Sequence, residues 1–202
     1  MTFRGEDGID AGGLTREWYS VLAKEIFNPN YALFTPAADG STFQPNPMSE
    51  IAHDQGTVDS ARWFQFVGRV VGKAIADGQL LDAHFTRSFY KHMLGVPVTV
   101  EDMGSMDPEY YKNLRAILQH PLADLGLDDL TFSAESQKFG LTETTNLIPD
   151  GDKVPVTDEN KNEYVTLICR HRMTSGIRNQ IHNFLQVRQT EPTSHCLPVR
   201  LG

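Results

Sequence analysis

Three groups of residues could do chemistry by type and spacing. The thiols come first: Cys169 and Cys196 are the two cysteines in 202 residues. Cys196 ends the run Thr193-Ser194-His195-Cys196, and a neighbouring imidazole can draw a thiol toward its nucleophilic thiolate. A nucleophile also needs a preorganised site, and the stretch from Gln186 onward has no apolar period to build one. Cys169 falls inside a helical pattern, where a small buried hydrophobe is the ordinary role.

The second group could hold phosphate or metal. Gly5 to Gly13 packs four glycines and three acids directly before an amphipathic pattern. The spacing fits neither G-x-G-x-x-G nor a phosphate loop closed by Lys-Ser/Thr, so it reads as a tight turn feeding a helix. Asp150-Gly151-Asp152 opens like a calcium loop, but Val154 stands at the third ligand position, and a solvated turn fits better. His84, His92, His120, His171, His182 and His195 show no ligand spacing such as H-E-x-x-H. His171 reads as a structural histidine. No metal and no cofactor are expected.

The third group is apolar. Tyr110 and Tyr111 are adjacent on one predicted helix and should not both face one core. Tyr164 and Ile168 are four apart on another and share a face. Core packing accounts for most such residues; those left exposed would form a docking groove.

The elements that must position these groups follow from periodicity. Leu14, Trp18, Val21, Leu22 and Ile26 predict a helix over 14–27, stopped by Asn28-Pro29. Tyr31 to Phe34 reads as a strand, with Thr42 to Gln44 returning after the Asp39-Gly40 turn. The apolar face from Trp63 to Ile75 predicts a long helix closed by Gly78. Gly68 and Gly72 within it suggest a close neighbour. Thr86 to Leu94 is a short helix ended by Gly95, and Asp107-Pro108 starts another that runs to about Gln119. Leu130 to Ser133 and Lys153 to Val156 read as strands around a turn-rich 141–152. Thr157 caps a helix bearing Tyr164 to His171, and a last helix carries Ile177 to Leu185. The pattern is α+β, helix-rich with short strands, and a break falls near 95–107.

Composition narrows the function classes. With 40% hydrophobic and 22% charged residues, the chain matches an ordinary globular protein. A net charge of −8 argues against nucleic acid or an anionic membrane as partner and favours a basic protein. Two cysteines suggest a reducing compartment, cytoplasmic or nuclear. No transmembrane stretch or signal peptide is visible.

In order, GEDGIDAGGLTREWYSVL, STFQPNPMS, FVGRVVGKAIADGQLLDAHFTRSFYKHMLG, DPEYYKNL and VPVTDENKNEYV closely resemble the N-terminal lobe of HECT-type ubiquitin ligases, from Phe3 to Leu185. The resemblance implies a mostly helical lobe with short strands. It divides residues 1–185 into a large subdomain (1–100), a small subdomain (101–172) that binds the ubiquitin-conjugating enzyme (E2), and a return helix (173–185). It implies an E2, ubiquitin and protein substrates as partners. It places the E2-binding residues at Tyr110, Leu130, Tyr164 and Ile168. In the family a second lobe carries the cysteine that takes ubiquitin as a thioester. Here the match fails near Gln186, Cys196 is not equivalent to that cysteine, and no catalytic residue is assigned. The expectation is a chain truncated before that lobe, with a divergent, disordered tail over 186–202. Three readings stay open: a ubiquitin-transferase fragment, a non-catalytic E2-binding module or inhibitor, and a small hydrolase using Cys196 and His195.

Overall fold

The structure, a computed structural model, describes residues 12–50, 60–82, 84–138 and 141–186. The glycine-rich run up to Ala11, and the tail with His195 and Cys196, lie outside the described residues.

The first half folds around phenylalanine rings. Helix α1 (Gly13–Ile26) buries Tyr19, Ala23 and Ile26, the stripe that a 3.6-residue period sets on one side. After it, Pro29–Tyr31 forms a 3-10 turn capped by Asn28, whose side chain accepts from the Asn30 amide at 3.1 Å. The strand expected from Tyr31 therefore begins later. Strand β1 (Phe34–Pro36) pairs antiparallel with β2 (Phe43–Pro45), Thr35 opposite Gln44. Asp39 ties their turn by accepting from the Ser41 and Thr42 amides, both at 3.0 Å. Helix α2 (Ser60–Ala76) buries Phe64, Val67, Gly68, Val70 and Ala74. A Cβ at Gly72 would meet nothing within 4 Å, so the close neighbour expected there is not found among the described residues. Helix α3 (Arg87–Leu94) ends at Gly95, whose φ of 70° lets the chain turn. Phe34, Phe64, Phe85 and Phe89 join Phe184 in one core. Their edge-on and tilted contacts, such as Phe89 to Phe184 at 4.9 Å between centroids, are the geometries aromatic rings favour.

The second core lies across the 95–102 crossing. Helix α4 (Met103–Met106) is a single turn that leads into α5 (Pro108–Gln119). The Asp107 side chain caps α5 by accepting from the Tyr110 amide at 3.0 Å, as the Asp-Pro start predicts. Strands β3 (Ser133–Lys138) and β4 (Leu141–Asn146) form an antiparallel ribbon. Helix α6 (Lys161–Met173) packs against α5, and α7 (Arg178–Leu185) returns to lie along α2 in the first core. Met103, Leu114, Phe132, Val165, Cys169 and Met173 belong to this second core.

Several expectations are corrected here. Residues 130–132 are not a strand; the Phe132 amide donates to the Val154 carbonyl, an isolated bridge joins Thr131 and Pro155, and the ribbon starts only at Ser133. The stretch read as turn from 141 contains β4. Within 153–156 the ribbon-like pairing is limited to that bridge, because Gly151–Lys153 is a 3-10 turn. Asn160, not Thr157, sits at the N-cap of α6, and its side chain accepts from the Thr157 amide at 2.7 Å. Tyr110 and Tyr111 both pack on the second core: Tyr111 lies over Gly104, where an added Cβ would stand 3.1 Å from its ring. A residue without a side chain makes room for the ring that helical spacing would turn away.

The two crossings between the cores are both tied to α3. Asp102, 1% exposed, accepts from Lys91 Nζ at 2.6 Å and from the Thr99 amide at 2.7 Å, with Arg87 Nε at 3.1 Å. On the return crossing, His92 Nε2 lies 2.9 Å from the Met173 carbonyl and 3.3 Å from the Thr174 hydroxyl.

Candidate functional site

Helical spacing puts Tyr164, Ile168, His171 and Arg172 along one side of α6. The first turn of α5, held by the Asp107 cap, presents Tyr110 to that side. The segment bridged to Pro155 brings Leu130 beside them. All four residues expected at a docking surface line one cleft of about 910 Å³. Gln44, Pro47 and Met48, from strand β2 and the residues just after it, form another part of its wall.

The four do not protrude as exposed anchors. Tyr164 is 6% and Ile168 3% exposed, and both belong to the second core. They make the floor, while half-buried Tyr110 and Leu130 offer surface to a visitor. The Tyr164 ring meets Phe132 edge-on at 5.8 Å, which fixes its tilt. Arg172 lies over the Tyr110 ring with Cζ 4.1 Å from the centroid, and its Nη2 reaches the Asp107 carboxylate at 3.5 Å. Asp107 therefore holds both the helix start and the cation above its first tyrosine.

Electrostatics rule out acid–base work by these phenols near neutral pH. Burial, with the neighbouring Tyr110 adding to it, pushes Tyr164 up to about 12. Burial also raises Tyr110, against the pull of the Arg172 cation. Both stay neutral and present ring faces and hydroxyls, the surface of a binding groove.

Cys169 lines a different cavity, with Thr166, Arg170 and Met173. It is 1% exposed, and burial pushes its thiol up to about 11. A thiol so protonated and enclosed is a poor nucleophile, in line with its expected role as core. Around Asp150-Gly151-Asp152 the carboxylates serve the turn itself: Asp152 accepts from Asn146 Nδ2 at 3.0 Å, and Asp150 pairs with Lys153 at 3.2 Å. Among the described residues no group of three or more His, Cys, Asp or Glu could hold a metal ion, and no helix is long and apolar enough to cross a membrane.

Periodicity alone did not single out Arg172, nor the wall of Gln44, Pro47 and Met48. The wall lies far upstream in the chain, and no spacing rule links it to α6.

The model of the HECT-domain (ubiquitin-transferase) family matches residues 20–190. The E3 ubiquitin-protein ligase HACE1 of Danio rerio is 49% identical over 186 residues, 92% of this chain and 20% of the relative. The E3 ubiquitin-protein ligase UPL2 of Arabidopsis thaliana is 50% identical over 193 residues, 92% of this chain and 5% of the relative. The E3 ubiquitin-protein ligase TOM1-like of Neurospora crassa is 45% identical over 186 residues, 92% of this chain and 4% of the relative. The chain thus spans a fifth or less of the length of these three relatives.

Proposed function

This chain belongs to the HECT-domain ubiquitin-transferase family, and from that premise we propose that it is the part of an E3 ubiquitin-protein ligase that docks the ubiquitin-conjugating enzyme. The observation that carries this reading is the convergence of Tyr110, Leu130, Tyr164 and Ile168 on one cleft. An apolar floor with two half-buried side chains at its lip suits a partner that inserts one or two anchors, the way interfaces concentrate their energy.

In the reaction to which such docking would contribute, a ligase thiolate attacks the thioester carbonyl of the ubiquitin-loaded conjugating enzyme, and the conjugating enzyme's thiol leaves. A substrate lysine amine then attacks the new thioester, forms the isopeptide bond and releases the ligase thiol. The docked chain would supply proximity, turning a bimolecular thiol exchange into a near-unimolecular one. Cys169 takes no part in that exchange, because it is enclosed and protonated. Protein substrates and a cytoplasmic or nuclear setting complete the proposal.

Hydrogen exchange tests the docking role. Adding an uncharged conjugating enzyme should slow exchange in peptides covering Tyr110, Leu130 and Ile168 and leave α2 unchanged. Protection confined to α1 or α2 would place the partner elsewhere.

The enclosure of Cys169 favours a second reading, a binding module that sequesters conjugating enzymes without accepting ubiquitin. A ubiquitin-loaded conjugating enzyme separates the two. A DTT-sensitive ubiquitin adduct on this chain supports transfer; binding with no adduct supports the module.

A further inference from the structure

We propose that the cavity between the first crossing and α6 binds a small amphipathic carboxylate, one negative charge on an apolar body, with Arg170 taking the charge and Val96, Val98, Val100 and Met173 taking the body. The cavity shares no lining residue with the docking cleft, and the proposal stands independently of the docking role. Its volume is about 680 Å³, inside the range of ~300–1,000 Å³ typical of small-molecule pockets. The crossing supplies a run of apolar side chains, of which Val96 stays 45% exposed. Helix α6 supplies Cys169 and Met173, each 1% exposed, where the cavity meets the second core.

The charge of the ligand follows from which polar groups are already engaged. Besides the protonated Cys169, the titratable side chains lining the cavity are His92, Glu101 and Arg170. His92 Nε2 is occupied by the Met173 carbonyl at 2.9 Å and the Thr174 hydroxyl at 3.3 Å. The Thr99 side chain and its own backbone amide engage Glu101 and hold its carboxyl below the usual carboxylate range. Arg170 is exposed, and its guanidinium has no ion-pair or hydrogen-bond partner among the described residues. A planar guanidinium matches a carboxylate with two parallel N–H donors. Glu101 keeps its own negative charge at the same cavity and repels a second one, which selects a monoanion over a phosphate monoester. A molecule seated here touches the first crossing through Val96 to Val100 and the return crossing through Thr174. It therefore spans the junction of the two cores and stabilises the native chain by mass action.

Calorimetric titration and methyl NMR of the full chain with sodium octanoate test this. Octanoate should raise the thermal midpoint and shift the methyl resonances of Val96, Val98, Val100 and Met173, leaving those of Leu130 and Ile168 in place. Octanol, with the same body and no charge, and octyl phosphate, with the second charge, should each bind about three- to tenfold more weakly. Arg170→Gln should weaken octanoate by a similar factor and leave octanol unchanged. Thr166→Phe, which brings a ring into the cavity from an exposed position on α6, should block both. Equal affinity for octanoate and octanol, tighter binding of octyl phosphate or of octylammonium, or indifference to either variant overturns the proposal. So does the lack of a saturable shift at these methyls with millimolar octanoate. None of these outcomes bears on the docking cleft.

Discussion

Arg172 lies over the Tyr110 ring, its Cζ 4.1 Å from the centroid, and joins α6 to the first turn of α5 at the cleft lip. The same guanidinium reaches Asp107, which caps α5. The lip is thereby held by one cation between a ring and a carboxylate. Because Arg172 is partly exposed, the stacking is worth about 0.5–1 kcal/mol. Urea denaturation of Arg172→Ala, Tyr110→Ala and the double variant should give a coupling free energy of that size. Strictly additive losses would show that the ring and the cation do not support each other.

Asp102 makes the tie between cores pH-dependent. Burial disfavours its charge, but the Lys91 ammonium and the Thr99 amide outweigh burial and hold its carboxyl below the usual range. A folded-state pKa that is depressed adds stability above the unfolded value and loses it as pH falls through the folded one. The acid limb of the stability curve, below about pH 4, should therefore flatten in Asp102→Asn. At neutral pH the variant should lose about 3 kcal/mol, since Lys91 stays largely buried without its counter-charge. An unchanged acid limb would mean that another carboxylate governs it.

Gly151→Ala should damage the cleft floor from beneath. A Cβ there would stand 2.1 Å from the Phe132 carbonyl oxygen, a backbone atom that cannot step aside alone. Phe132 supports the Tyr164 ring, so the displacement reaches the cleft. We expect a loss of about 2–4 kcal/mol by chemical denaturation, at the upper end of single substitutions. A change under about 0.5 kcal/mol, the usual range for a surface site, would contradict the packing described.

Cys169 should resist alkylation in the native chain at pH 8, because its thiol titrates near 11 and is enclosed. Peptide mass analysis after iodoacetamide should find Cys169 modified only once denaturant is added. Modification at the rate of a free thiol would place it at an accessible surface.

Most helices were legible because their signals are local. The Asp107-Pro108 start, the left-handed Gly78 and Gly95, and the apolar stripes of α1 and α2 each occupy a few consecutive turns. Strand β4 was not legible: Thr142, Glu143 and Thr144 are all exposed, so a two-stranded ribbon there carries no apolar alternation to read. The 130–132 segment looked like a strand because Leu130 and Phe132 alternate, yet its pairing stops after one bridge. At the site, periodicity placed Tyr164 and Ile168 on one face but could not say that the face is a floor; that depends on the ribbon and on the Gln44 wall. The pairing of Tyr111 with Gly104 likewise needs two helices to meet before it exists.

The docking cleft is tested most directly by calorimetric titration of a ubiquitin-conjugating enzyme into wild-type chain and into Tyr110→Ala and Leu130→Ala, chosen because both side chains are only half-buried. Each variant should weaken binding by about 1–2 kcal/mol, or roughly five- to thirtyfold, with the thermal midpoint shifted by only a few degrees. Affinities equal to wild type in both folded variants would contradict the assignment of this cleft as the docking site.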